Sequence, residues 1–234
     1  MLQAEPVGRY SGVAERGEMK ERPIIFSGPM VRAILEGRKT QTRRTGGLRD
    51  FNMVGLDGAG HHTCPDEYAL VHFDGKQADF SRFAVNIGGI NVSVIYHATN
   101  PYGLMGDRLW VRETWYRERL SESDRVIYRA HADYMPVLWK PSISMPRWAS
   151  RLLLEITEVK VQRLQDISFE SVQAEGLNPL RDCPGIQSPL VEARQLYATL
   201  WDSLNIKRGY GWAANPWVWA ISFKAIAPAQ QEGK

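Results

Sequence analysis

The sequence predicts an α+β fold: a small mixed β-barrel, partly closed, with flanking helices and one large insertion. Short apolar runs rich in β-branched and aromatic residues recur along the chain, separated by glycine, proline, asparagine and aspartate. Helical spacing is confined to a stretch near the start and two in the last third. Many short strands with few helices favour closure, because a closed sheet removes edges that would otherwise aggregate.

The elements follow in order. Residues 1–22 have no hydrophobic period and read as a flexible arm. Pro23 to Phe26 is a first short strand. Ser27-Gly28-Pro29 is a helix start, with Ser27 as cap and proline in the first turn. Met30, Val31, Ile34 and Leu35 then share one helical face, and Gly37 ends the helix. Glycines crowd residues 45–69, which read as loop. Leu70–Phe73 and Asn91–His97 are expected to pair as strands, with Gly75, Asp79 and Gly88-Gly89 supplying the turns between them. Together they make an insertion over about 45–100.

Gly106-Asp107 turns into the strand-like run Arg108–Trp115, and Val126–Ala130 is another strand. Lys140–Arg151 is a loop held extended by Pro141 and Pro146. Leu152–Val161 reads as a long strand with a bulge. Asp166-Ile167-Ser168 caps a short helix that ends at Glu175-Gly176. Leu190, Ala193, Tyr197, Leu200, Trp201 and Leu204 mark a longer helix, and Trp217–Lys224 alternates as a closing strand. A single domain over 23–225 with a polar tail at 226–234 is the expected organisation.

Composition bounds the function. Of 234 residues, 44% are hydrophobic and 24% charged, which is ordinary for a globular chain. A net charge of +3 is mild, so any case for nucleic acid must come from where charge is clustered. Two cysteines, Cys64 and Cys183, suggest a reducing compartment. No run approaches the roughly 18 apolar residues of a membrane span, and Glu5, Arg9, Glu15 and Arg16 interrupt any signal-like core. A soluble, cytoplasmic protein that does not engage membranes is expected.

The chemistry starts in Gly37-Arg38-Lys39-Thr40-Gln41-Thr42-Arg43-Arg44, with four cations and two hydroxyls after a helix end. No acidic residue lies between Lys39 and Arg49, so the patch suits a phosphate or carboxylate. A solvated basic loop is the plainer reading. Lys140, Arg147 and Arg151, interleaved with Trp139 and Trp148, form a second patch with phosphate-binding cations and base-stacking rings. Buried tryptophans at the edge of the core would produce the same pattern. His61, His62 and Cys64 complete no metal motif, so neither metal nor cofactor is expected. Trp110, Trp115, Trp217 and Trp219 sit at alternating strand positions and read as core.

Gly37, Lys39 and Arg44 reproduce a Gly-x-Lys-x-x-x-x-Arg pattern that resembles the ASCH domain family of the PUA-like superfamily. The Gly106-Asp107 turn, the Asp166-to-Gly176 helix and the ending Phe223-Lys224 are similar too. The likeness covers 23–44 and 101–225, and the whole chain looks like the longer ASCH-like proteins of phages and prophages. It implies a cleft beside the barrel for RNA, a nucleotide or a modified nucleoside.

Some small members remove an acyl group from the exocyclic amine of cytidine through a Lys-x-x-Thr pair and a distant Glu. Lys39, Thr42 and Glu175 match those positions. In that chemistry a partly desolvated Lys39 takes the proton of Thr42, and Glu175 protonates the departing amine. Arg38, Arg43 and Arg44 would lower the lysine's proton affinity. Two function classes stay open: a hydrolase, either an amidohydrolase or a ribonuclease, and a non-catalytic RNA- or nucleotide-binding module of phage origin.

Overall fold

A computed structural model describes residues 18–52, 55–56, 62–63, 68–87, 90–119, 124–132, 138–179 and 189–226. In chain order the strands are β1 (Glu21–Ile25), β2 (Gln41–Arg44), β3 (Gly55–Leu56), β4 (His62–Thr63), β5 (Tyr68–Phe73), β6 (Gln77–Ile87), β7 (Ile90–Thr99), β8 (Arg108–Arg112), β9 (Trp115–Arg119), β10 (Asp124–Tyr128), β11 (Leu153–Arg163) and β12 (Trp217–Ile226). The helices are α1 (Gly28–Leu35), α2 (Arg49–Asn52), α3 (Phe169–Ala174) and α4 (Pro189–Asn205). Among the described residues, no helix is long and apolar enough to cross a membrane.

The fold is mixed α+β, organised on a five-stranded sheet of order β1-β8-β11-β12-β2. β1 runs parallel to β8, and the other neighbours are antiparallel. The expected barrel closure is corrected here: the backbone ladder is open, with β1 and β2 as its edges. The two edges are joined by a side chain instead. Arg44 Nη2 on β2 donates to the Ile25 carbonyl of β1 at 2.6 Å, and its guanidinium lies 5.0 Å from the Phe26 ring centre.

β12 lies between β11 and β2 and is covered on both faces over Trp217 to Ile221. Trp217, Trp219, Ile221 and Phe223 enter the main core with Val31 and Ile34 of α1, while Val218 packs with Tyr197 and Trp201 of α4. Strand alternation sends odd and even positions to these two cores. The sheet β5-β6-β7 lays Ala78, Phe80 and Ala98 onto the main core. Its strand β6 corrects the expected pairing of Leu70–Phe73 with Asn91–His97. Both segments pair with Gln77–Ile87, and Asp79 lies in mid-strand rather than a turn.

Other local differences have simple causes. Ser27 starts α1 without a side-chain capping bond, and Leu35 is exposed, leaving Val31, Ala33 and Ile34 as the buried stripe. Ser168 does cap α3, accepting from the Ser171 N–H at 3.2 Å. The long strand β11 shifts register between Ile156 and Glu158, where a bulge was expected. The run Arg108–Trp115 breaks at Glu113-Thr114 into β8 and β9. The Pro141 and Pro146 loop folds into two short 3-10 turns, Ser142–Ser144 and Arg147–Ala149.

Asn52, buried at the end of α2, makes a reciprocal pair with the start of β12. Its Nδ2 donates to the Trp217 carbonyl at 2.8 Å and its Oδ1 accepts from the Trp217 N–H at 2.6 Å. Asn52→Ala leaves two buried backbone groups unpaired and is expected to cost about 3 kcal/mol. Urea unfolding monitored by tryptophan fluorescence measures that loss.

Candidate functional site

The site is made where the end of α1, strand β2 and the end of α3 converge. Gly37, at φ 72°, turns the chain out of α1, and the amides of Arg38 and Lys39 both donate to the Ala33 carbonyl at 2.9 Å. Lys39 then forms an antiparallel bridge with Glu175, and Thr40 N–H donates to Ala174 O at 2.8 Å. Gly176, at φ 93°, follows at once. A Cβ there would meet the Ala33 Cβ at 3.0 Å and the Lys39 Cβ at 3.1 Å, so glycine permits both the turn and the close approach.

Lys39 and Glu175, 136 positions apart, meet inside this junction. Lys39 Nζ donates to Glu175 Oε2 at 2.6 Å, to the Glu175 carbonyl at 3.0 Å and to the Gln41 carbonyl at 2.8 Å. An ammonium has three donors, so all are used. Arg43 Nη1 donates to Glu175 Oε1 at 3.1 Å and to Gln41 Oε1 at 2.8 Å. The Tyr197 hydroxyl of α4 donates to Glu175 Oε1 at 3.3 Å. The side chains of Lys39, Arg43 and Glu175 are 0%, 1% and 5% exposed.

Burial and charge compete at this centre. Burial alone pushes the Glu175 carboxyl up, but the adjacent Lys39 and Arg43 cations and their hydrogen bonds more than offset it, holding it below the usual range. Burial pulls Lys39 down from its ordinary value, only partly countered by Glu175, and Arg44 and Arg43 add to the lowering. Tyr197 is raised well above the ordinary phenol value by burial and by the neighbouring carboxylate. The acceptors around Nζ match an ammonium facing a carboxylate in the resting protein.

Thr42 is buried in the strand rather than held in a turn. It pairs with Ile221 and shares the main-core face, whereas Arg43 and Gln41 take the opposite face. An extended chain sends residues i and i+3 to opposite sides, and no hydrogen bond joins Thr42 to Lys39 among the described residues. Arg38 caps rather than lines the centre: it donates to the Gly176 carbonyl at 2.7 Å and to Glu36 at 2.7 Å. Arg44 holds the β1–β2 seam.

The second cationic group is dispersed among partners. Lys140 Nζ lies 5.0 Å from the Trp115 ring centre, and Arg147 pairs with Glu21 at 2.9 Å. Arg151 grips buried Glu113 with bonds of 2.8 and 3.0 Å. Trp148, 48% exposed, packs edge-on against buried Trp115 and carries the Arg117 guanidinium 5.2 Å from its ring centre. A cleft of about 360 Å³, lined by Ser27, Arg32, Glu113, Thr114 and Arg129 among others, opens beside the Glu113–Arg151 pair. Of the tryptophans read as core, Trp110, Trp115, Trp217 and Trp219 are all buried. His61 and Cys64 lie outside the described residues.

Tyr197 and Gln41 went unremarked as site residues because each satisfies a plainer pattern. Tyr197 completes the apolar stripe of α4, and only its hydroxyl hints at a polar task.

Fold and site together define a mixed α+β protein with a sealed amine–carboxylate centre between sheet edge and helix end. No protein-family model matches the sequence, and no curated protein does. Among solved structures, protein EF3133 from Enterococcus faecalis V583, described by the family model DUF984, aligns over 84% of this chain at 12% identity with a TM-score of 0.35. The match spans 66% of that protein's length.

Removing the carboxylate tests the centre. Glu175→Gln strands two buried cations and is expected to destabilise the protein by about 3–5 kcal/mol. Because the Glu175 carboxyl is depressed in the folded state, its contribution is complete above the unfolded value of about 4.3 and is lost as pH falls through the folded value. The wild type's acid-limb stability loss should therefore shrink in Glu175→Gln, as read by denaturation midpoints across that range.

Proposed function

We propose that the chain is an RNA- or nucleotide-binding protein of ASCH type that hydrolyses an N4-acylated cytidine at the Lys39–Glu175 centre. The observation carrying this reading is the 2.6 Å contact between Lys39 Nζ and Glu175 Oε2 in a nearly water-free setting. Burial disfavours both charges, so a ligand that displaces Arg43 from Glu175 favours proton transfer along that bond. The products are a neutral amine and a neutral carboxylic acid side by side.

The amine then takes the proton of a hydroxyl as its oxygen bonds to the acyl carbon. Glu175 returns its proton to the exocyclic nitrogen as the carbon–nitrogen bond breaks, restoring ammonium and carboxylate. Thr42 Oγ1 is the hydroxyl with the Lys-x-x-Thr spacing; its attack leaves an acyl ester that a water then cleaves, the Glu175 carboxylate taking the water's proton and the Lys39 ammonium returning one to Oγ1. Its place on the core face makes direct attack by water the competing route. Arg43, released from the carboxylate, stabilises the oxyanion.

A second reading, a binding module without catalysis, draws support from the exposed Trp148 with Arg117 against its face, a stacking platform beside cations.

Incubation with N4-acetylcytidine, following cytidine release, separates the two. Turnover should fall at least about 100-fold in Lys39→Ala. Thr42→Ala abolishes turnover if the threonine attacks and spares it if water does. Absence of turnover by the wild type, with short RNA still bound in a salt-dependent manner, selects the binding module.

A further inference from the structure

The cleft between the start of α1, the break between β8 and β9 and the turn after β10 is left unused by the proposed chemistry. It lies at the opposite end of α1 from Lys39, with eight residues of helix, about 12 Å, between them. Three hydrogen bonds hold its walls together. Phe26 N–H donates to the Arg112 carbonyl at 3.1 Å, Arg129 N–H to the Thr114 carbonyl at 3.0 Å, and Arg32 Nη1 to the Ala130 carbonyl at 2.8 Å. Its volume of about 360 Å³ falls in the range of small-molecule sites.

The polar groups on these walls are of two kinds. One is held rigid. Glu113, whose side chain is 2% exposed, accepts from Arg151 at both carboxylate oxygens. Arg151 also donates to His131 Nδ1 at 3.0 Å and lies 4.0 Å from the Tyr128 ring centre. A buried pair of this sort adds little net stability, so packing alone does not account for it. Each oxygen keeps acceptor capacity beyond its one bond to Arg151. The other kind is free. The hydroxyls of Ser27 and Thr114 and the guanidinium of Arg129 make no hydrogen bond among the described residues. Counting Arg32 and Arg129 on the wall and Arg151 behind Glu113, three cations stand against one carboxylate. A few polar groups converging on a concave surface are the mark of a ligand site.

We infer that this cleft binds a ribose 5-phosphate group, free or as part of a nucleoside monophosphate. Guanidinium groups and hydroxyls are the usual side-chain donors to phosphate oxygens. A fixed carboxylate accepts from sugar hydroxyls, as acidic residues do for ribose in nucleotide sites. Inorganic phosphate has no use for Glu113, which repels it, so the ligand carries hydroxyl donors at the end away from its phosphate. Pro29 and Ala130 give the body of that ligand an apolar wall.

The test is calorimetric titration of the full chain with ribose 5-phosphate, AMP, ribose and inorganic phosphate. Ribose 5-phosphate and AMP should each bind at one equivalent, at least about tenfold more tightly than ribose or phosphate alone. Equal affinity for the two assigns the site to the sugar phosphate, and tighter AMP assigns it to the nucleotide. Arg129→Ala and Thr114→Val should each weaken binding about tenfold. Glu113→Gln should lose the preference for ribose 5-phosphate over phosphate. Arg129 is exposed and Thr114 partly so, and circular-dichroism melts check that every variant folds. Trp148→Ala, in the other cationic patch, should bind as the wild type does. AMP binding that is unchanged in Arg129→Ala and Thr114→Val but lost in Lys39→Ala belongs to the Lys39–Glu175 centre and overturns the assignment. Inorganic phosphate binding as tightly as ribose 5-phosphate overturns it too, as does absence of binding by the wild type.

Discussion

The carboxylate of Glu175 is the point through which three segments are held together. A lone buried carboxylate is untenable, and so are a buried ammonium and a buried guanidinium. Placed at one junction, each makes the others tolerable. The helix ends, the sheet edge and the glycine turn at 176 all have to bring them there. Net charge inside this junction is still positive, because Lys39 and Arg43 face one carboxylate. Such a centre contributes less to net stability than to fixing how α1, β2 and α3 must meet, since apolar residues of similar volume often serve stability equally well.

Helices and strands with strong local periods were legible in the sequence. The cap at Ser168, the bulged strand β11 and the stripe of α4 all follow from neighbouring residues, which is the range over which propensity acts. Closure of the sheet was not legible. Whether two edge strands pair depends on the accumulated curl of five strands, and no local pattern encodes it. The segment from Gln77 to Ile87 was missed because Asp79 carries turn chemistry by residue type, while its place in mid-strand comes from tertiary pairing.

The site divides the same way. Lys39 and Glu175 were named together through a family likeness; nothing in the spacing of residues 136 apart requires contact. Thr42 was placed beside Lys39 by the same likeness, but in an extended strand three-residue spacing separates faces. Arg38 and Arg44 were counted as ligand-facing cations, and instead they satisfy backbone carbonyls at Gly176 and Ile25.

The seam between β1 and β2 has a consequence for how the sheet holds its two edges. A ladder of backbone bonds parts only when several break together, whereas this join rests on one guanidinium spanning from Arg44 to a carbonyl and an aromatic ring. The two sheet edges therefore depend on a residue of the same basic octet that supplies the buried amine of Lys39.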